Sequence, residues 1–505
     1  MTNAAAPTTK PPQNKAGRRE WIGLTVLLLP LLLVSMDVSV LYFAVPYIAA
    51  DLHPSATQQL WIFDIYGFVL AGLLITMGSL GDRIGRRRLL LFGAAAFGLT
   101  SVAAAYAQSA GMLIGARALL GIAGATLMPS TLALIRNMFH DEKQRGTAIA
   151  IWTAGLTTGV ALGPILSGLL LEHFWWGSVF LINAPFMVLL LILAPMLIPE
   201  FRNPAAGRFD LISSVLSLAA VLPVIYGIKE IAADGFSVLR AASLVVGLLF
   251  GYAFLRRQQT AAYPMISLDL FRSRTVSGPV LTNVVAMFAL TGYAIFTTQY
   301  LQLVLDMSPL RAALWSVAPA VVVGGAAPAA AAVVKSGVAR SVVIGAGFLI
   351  AAAGLAVLTV VRADSALWVV LVGAGVLSGG LVIVLSVGGE MLMGSIEPER
   401  AGVAGAVSET GSELGGALGI AVLGSIGTAV FHSHLPGQPT LAGALTVPGL
   451  QHAARVAFTD GMNVVAVVAG IVMLAAAVVT VVALRSRETG PAGSCSDADR
   501  EMVDA

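Results

Sequence analysis

Charge is what this chain has least of. Only 11% of its 505 residues are Asp, Glu, Lys or Arg, about half the share of a soluble globular chain. With 57% of the residues hydrophobic, most of the chain must lie in lipid rather than in water. Cysteine is nearly absent. The single one, Cys495, sits in the polar C-terminal tail, which excludes a disulfide within the chain and any structural thiol or zinc framework. There is no Walker loop, no H-E-x-x-H and no G-x-S-x-G. ATP use and the commonest hydrolase schemes are therefore unsupported, and the chain is not expected to be an enzyme. The formal net charge of +3 is too small to point to nucleic acid. His432 and His434 form His-x-His without a third ligand nearby, so no metal is expected.

What is present is a series of apolar runs. A membrane span needs about 20 mainly apolar residues, and fourteen runs qualify, from 21–45 and 57–79 to 402–430 and 457–484. The 21–45 run is too long for a signal-peptide core and has no clear cleavage site, so it reads as a retained first span. With the N-terminus inside, 23 of the 29 Lys and Arg fall on inner segments. Lys229, Arg240, Arg311, Arg362 and Arg455 fall on outer segments or span ends, and Arg117 lies inside a span. That asymmetry predicts two cytoplasmic termini.

The expected class is an all-α membrane protein with spans grouped six, two and six. The boundaries are a cytoplasmic tail at 1–20, a six-helix bundle at 21–200, two additional spans at 201–260, a second six-helix bundle at 261–484 and a polar tail at 485–505. A basic loop, Lys335-Ser-Gly-Val-Ala-Arg340, echoes in the second bundle the place of the first basic loop in the first. It suggests two related halves.

That first loop is Gly78-Ser-Leu-Gly-Asp-Arg-Ile-Gly-Arg-Arg-Arg-Leu-Leu90. Its charges cannot sit in hydrocarbon, so it is a tight turn at a membrane face, and its arginines place it in the cytoplasm. Gly78, Gly81 and Gly85 permit the turn. Asp82 can accept hydrogen bonds from Arg83, Arg86 and Arg87 or from a helix N-terminus.

Ionisable residues inside spans are costly and mark function by default. Asp37 and Asp64 lie in the first and second spans, and Arg117 in the fourth. Counted along their helices, the three lie about 13, 10 and 9 Å from the outer face. An arginine at such depth requires an acidic partner, but which of the two acids it meets is open. Asp37, with no base within a turn of it, is suited to loading and releasing a proton. Glu409 and Glu413 in the thirteenth span share one helix face. Two carboxylates so close either share a proton or bind a cation. Trp61, Phe63, Tyr66, Tyr293, Phe296, Tyr300 and Trp315 offer π faces to a lipophilic cation. Glycines at 155, 159 and 163 line one face of the fifth span, and Pro164 adds a kink.

Together these motifs resemble the fourteen-span drug:proton antiporters of the major facilitator superfamily. The loop matches G-x-L-a-D-r-x-G-r-k-x-x-l at Gly78, Leu80, Asp82, Arg83, Gly85, Arg86, Arg87 and Leu90. Gly159-x-x-x-Gly163-Pro164-x-x-Ser167-Gly168 is similar to the antiporter string g-x-x-x-G-P-x-x-G-G, and it points to export. Pro54-Ser-Ala-Thr-Gln-Gln-Leu-Trp-Ile-Phe-Asp-Ile-Tyr66 resembles the QacA and LfrA type of multidrug exporter. The resemblance implies the major facilitator fold, two six-helix bundles plus two inserted helices. It also implies a monomer in the cytoplasmic membrane that needs no cofactor and runs on the proton gradient. Its partners would be protons, the lipid bilayer and a small lipophilic substrate. Asp37, Asp64 and Arg117 would couple to protons. Glu409, Glu413, Trp61, Tyr66, Tyr293 and Phe296 would meet the substrate. Gly78, Asp82, Arg83, Gly85, Arg86, Arg87, Gly159, Gly163 and Pro164 would form the gating motifs. The QacA-type exporters of dications carry an acid in span 10, and the stretch Pro319–Pro328 has none. Monovalent lipophilic cations are therefore the expected substrates.

Overall fold

The computed structural model describes residues 15–202, 210–261, 273–395 and 401–488. The expectations for the tails beyond them, Cys495 included, and for most of the 257–274 linker lie outside these residues. Among the described residues fourteen helices are long and apolar enough to cross a membrane, and the chain is a multi-pass membrane protein. Helices dominate because hydrocarbon offers backbone groups no partner except one another.

The first bundle comprises α1 (Arg18–Leu52), α2 (Ala56–Ile84), α3 (Arg86–Ala105), α4 (Ala110–Met138), α5 (Glu142–His173), α6 (Ser178–Leu181) and α7 (Asn183–Leu197). The inserted pair is α8 (Leu211–Asp234) and α9 (Val238–Thr260). The second bundle holds α10 (Arg274–Gln299), α11 (Pro309–Ser316), α12 (Ala318–Lys335), α13 (Arg340–Leu358), α14 (Leu367–Gly394), α15 (Ala401–His434), α16 (Leu441–Leu445) and α17 (Gln451–Glu488). Short α6 and long α7 together make the sixth span, while α11 and α12 make the tenth, broken at Val317 two residues before Pro319. A proline there has no N–H to give the preceding turn. The ninth span ends in a π turn at Tyr300–Val304.

Both basic loops turn on a glycine in the left-handed region, Gly85 at φ 113° and Gly337 at φ 96°. At the opposite face the start of α2 is fixed by a reciprocal cap: Ser55 Oγ accepts from Gln58 N–H at 3.2 Å, and Gln58 Oε1 accepts from Ser55 N–H at 3.0 Å.

The two bundles meet along α2 and α15 and along α5 and α11. They are closed at the Ser55 end. There Leu60 packs on Gly424, and Gly168 packs on the backbone of Leu310. The crevice left between Gln59, Leu60, Phe296, Thr428 and Phe431 holds only about 60 Å³.

Helix α8 is not a bystander at the periphery. It runs antiparallel to α2 in a continuous register. Ser214 hydrogen-bonds Thr76, Leu218 covers Gly72, Ile225 packs with Phe68, and Lys229 reaches Asp64. These residues recur four or seven apart and so share one face of α8. Ile225 and Phe68 also pack with Ala417 and Ala421 of α15, so α8 lies at the seam between the bundles. Helix α9 packs on α8 and leaves Val238, Leu239, Leu248 and Leu249 exposed, where lipid covers them.

Candidate functional site

Two buried ion pairs hold the deepest charges, one within the first bundle and one between it and α8. Arg117 of α4 is wholly buried and forms an ion pair with Asp37 of α1, whose side chain is 2% exposed. The guanidinium has five donors, and α2 supplies further partners. Arg117 Nε donates to the Ile62 carbonyl at 3.1 Å and Nη2 to the Phe63 carbonyl at 3.5 Å. Its Cζ stands 4.7 Å from the centre of the Tyr66 ring. Arg117 thus ties α1, α2 and α4 together. Which acid it meets, open in the sequence, is settled in favour of Asp37.

Asp64 has a different partner. Lys229 Nζ donates to Asp64 Oδ1 at 2.7 Å and lies 2.7 Å from Oδ2, with neither side chain exposed. The ammonium also stands 3.8 Å from the centre of the Trp61 ring. By sequence Lys229 is an outer span end. The structure corrects that reading: the lysine is a core residue at the seam, delivered by an inserted helix. The signal that could have found it is the charge itself, an ammonium inside the apolar run 211–231, which needs an acidic partner. Removing one partner of such a buried pair typically costs about 3–5 kcal/mol.

Glu409 and Glu413 stand across the seam on α15. Both are half-buried, unlike the two aspartates. Among the described residues neither carboxylate has an ion-pair partner or a hydrogen bond. Glu413 Oε2 lies 3.7 Å from where a Cβ on Gly67 would stand, next to Tyr66 in the chain. Beside the pair, Asn283 of α10 donates to Ser412 Oγ at 2.8 Å and to the Ser408 carbonyl at 3.1 Å. That contact fixes the rotation of α15. The site therefore has two charge-balanced acids on one side and two unbalanced acids on the other.

Of the aromatics, Trp61 and Tyr66 lie within this cluster. Tyr293 and Phe296 do not. Phe296 packs on Tyr293 at 6.2 Å, on Phe458 at 6.0 Å and against Gly427. Gly427 is fourteen residues beyond Glu413, about 21 Å along a helix. Phe296 therefore belongs to the closed Ser55 end, with Tyr293 packed against it. Trp315 is exposed, and Tyr300 donates its hydroxyl to the Arg362 carbonyl at 2.6 Å.

The glycine face of α5 packs on α1 beside Asp37. Gly159 faces Ser35 and the Leu32 carbonyl, and Gly163 faces Ser39 and the Met36 carbonyl. Ser167 donates to the Val40 carbonyl at 2.9 Å. A side chain at 159 or 163 would collide with α1. In the 78–90 loop, Arg86 Nε donates to Asp82 at 2.8 Å. Glu200, which sequence reasoning did not single out, caps α3. Its carboxylate accepts the N–H of Arg87 at 3.0 Å and of Arg88 at 3.2 Å. It also fills the space where a Cβ on Gly85 would stand.

The sequence profile of the Major Facilitator Superfamily matches residues 27–420. The chain is 43% identical to "Multidrug efflux pump LfrA" of Mycolicibacterium smegmatis, over 94% of this chain and 98% of that one. It is 34% identical to "Methyl viologen resistance protein SmvA" of Salmonella typhimurium, over 80% of this chain and 82% of that one. It is 32% identical to the "Tetracenomycin C resistance and export protein" of Streptomyces glaucescens, over 94% and 93%. Among solved structures, a bacterial homologue of the human lysosomal transporter Spinster superposes with a TM-score of 0.68. It covers 94% of this chain and 100% of that one at 17% identity, a likeness of fold.

Proposed function

The chain belongs to the Major Facilitator Superfamily, and from that premise we propose that it is a proton-driven exporter of hydrophobic, mainly cationic drugs or antiseptics. The relatives named for drug efflux and resistance support export. The observation that carries the cationic preference is the unbalanced pair Glu409 and Glu413, half-buried and facing the seam between the bundles. A carboxylate pair without a base nearby attracts a positive group more strongly in a low-dielectric groove than in water. Trp61 and Tyr66 add aromatic faces.

In this reading the Gly85 end is cytoplasmic and the closed Ser55 end is outer. Asp37 is the acid that cycles the proton. Loading it neutralises the α1 partner of Arg117, whose remaining contacts, the Ile62 and Phe63 carbonyls and the Tyr66 ring, are all on α2. A proton thereby loosens the α1–α4 contact while α2 keeps its hold, a local change able to bias two packed arrangements. The 78–90 loop and the α5 glycine face serve as the moving contacts. Tyr293 and Phe296 serve the exit side.

The test is proton-gradient-driven uptake of ethidium and tetraphenylphosphonium into inverted vesicles, wild type against Asp37→Asn. Wild type is expected to concentrate both, and Asp37→Asn to abolish uphill movement of both. If the wild type moves no lipophilic cation uphill, the export reading fails and a sensor or scaffold becomes the better account. If Asp37→Asn still concentrates dye, the proton site lies elsewhere and Asp64 is next. A panel including methyl viologen decides whether dications are accepted. The likeness to the tetracenomycin exporter favours a second reading, a dedicated exporter of one natural product. A response to a single compound class in the same panel would select it.

A further inference from the structure

Helix α8 belongs to neither six-helix bundle, yet it places an ammonium group in the core. The surroundings of that group are those of a bound cation. The Asp64 carboxylate has both oxygens 2.7 Å from Lys229 Nζ. The Trp61 ring lies 3.8 Å below it. Carboxylate plus aromatic face is the recognition chemistry of organic cations, and this one lies beside the α2–α15 seam where Glu413 stands.

A purely structural ion pair would not need this position. Buried pairs rarely stabilise a fold beyond what apolar side chains of similar volume provide. The flanking α2–α8 contacts, Ile225 on Phe68 and Leu218 on Gly72, are already apolar. Lysine also suits displacement better than arginine. It is a compact point charge on a flexible stem, whereas a guanidinium would lock the carboxylate in a two-pronged contact.

We propose that Asp64 and Trp61 form a cation-binding site which Lys229 of the inserted helix occupies in the empty transporter, as a tethered competitor that an incoming organic cation must displace. The proposal rests on the export of lipophilic cations inferred above and adds a selection device to it. A cation that outcompetes the lysine frees the α8 face from α2. A weakly binding or neutral compound leaves the pair intact. The inserted helix thereby sets a threshold of cation affinity for loading.

The experiment is equilibrium binding of tetraphenylphosphonium to the purified full-length protein in detergent, with neutral triphenylphosphine oxide as control of similar shape. Lys229→Gln removes the competitor, and its dissociation constant for the cation is expected to fall by about fivefold or more, the lower range of a coupling between two ligands of one site. Lys229→Arg keeps the charge, so it is the variant safest to fold. Its stronger hold on Asp64 should raise the constant for the cation. Both variants should leave the neutral control unchanged. In Asp64→Asn/Lys229→Gln, which leaves no unpaired charge, the gain of Lys229→Gln should vanish. A role confined to stability predicts shifts of one sign for both ligands, and that result overturns the proposal. So does a gain that persists without Asp64, or an Lys229→Arg protein that binds the cation as wild type does. If the wild type binds no tetraphenylphosphonium, the cationic reading itself fails. If it binds while the variants do not diverge, only the tethered-competitor role fails.

Discussion

Glu413 of α15 reaches the backbone of α2. Its Oε2 lies 3.7 Å from where a Cβ on Gly67 would stand, and Ala417 lies 3.3 Å from the same point. The two bundles therefore touch at a place where one side offers bare backbone and the other an unpaired carboxylate. Glu409 stands one turn away on the same face.

This contact separates charge selection from packing. Glu413→Gln and Glu409→Gln keep shape and remove charge. Each is expected to raise the KM for a cationic dye by about tenfold, the scale of one lost charge-assisted contact. The KM for a neutral drug should hold. Vesicle efflux of both compounds on each variant checks this, and equal losses for the two would show that the pair does not read charge.

Gly163 lies against Ser39 and the Met36 carbonyl, two and one positions from Asp37 along α1. Gly163→Leu forces α5 away from α1. Overpacking of this kind costs about 1–3 kcal/mol, so a lower melting temperature in detergent is expected together with loss of export. Unchanged export kinetics would mean that this face does not move during transport.

Asp82 and Arg86 pair at 2.6 Å across one turn, with the aspartate 35% exposed. Arg86 is only 10% exposed, but a pair four residues apart on one helix contributes under about 1 kcal/mol to stability. Asp82→Asn is therefore expected to insert and melt as wild type does while transport slows. A wild-type rate at wild-type expression would remove the loop from the gating machinery.

Asp210 caps α8, accepting from Ser213 N–H at 3.0 Å and from Arg257 Nη2 at 2.8 Å. Partial burial pushes its carboxyl up, but the hydrogen bonds from Arg257 and Ser213 outweigh that and hold it below the usual range. A carboxyl so depressed stabilises the fold fully above its unfolded pKa of about 3.9. That contribution is lost as pH falls through the lower folded value. The gap in melting temperature between wild type and Asp210→Asn should narrow steadily from about pH 5 downward. A gap that stays constant across that window would show that the cap contributes nothing through its charge.

Much of the fold was legible in the chain because membrane insertion follows local rules. Hydrocarbon thickness sets the length of each apolar run, and the cost of burying charge confines basic residues to one face. Fourteen spans therefore follow from residue order alone, as does the tight turn at Gly85. The helix-face pairing of Glu409 with Glu413 follows from a spacing of four. Which base meets which acid was not legible. Asp37 and Arg117 are 80 residues apart, and Asp64 and Lys229 are 165 apart. Each pairing depends on how a helix is rotated and how far it slides along its neighbour. Spans that are apolar on nearly every side, such as α8, give no pattern that fixes either quantity. Only the packed register of α8 on α2, set by Ser214 on Thr76 and Ile225 on Phe68, carries Lys229 from an apparent helix end into the core.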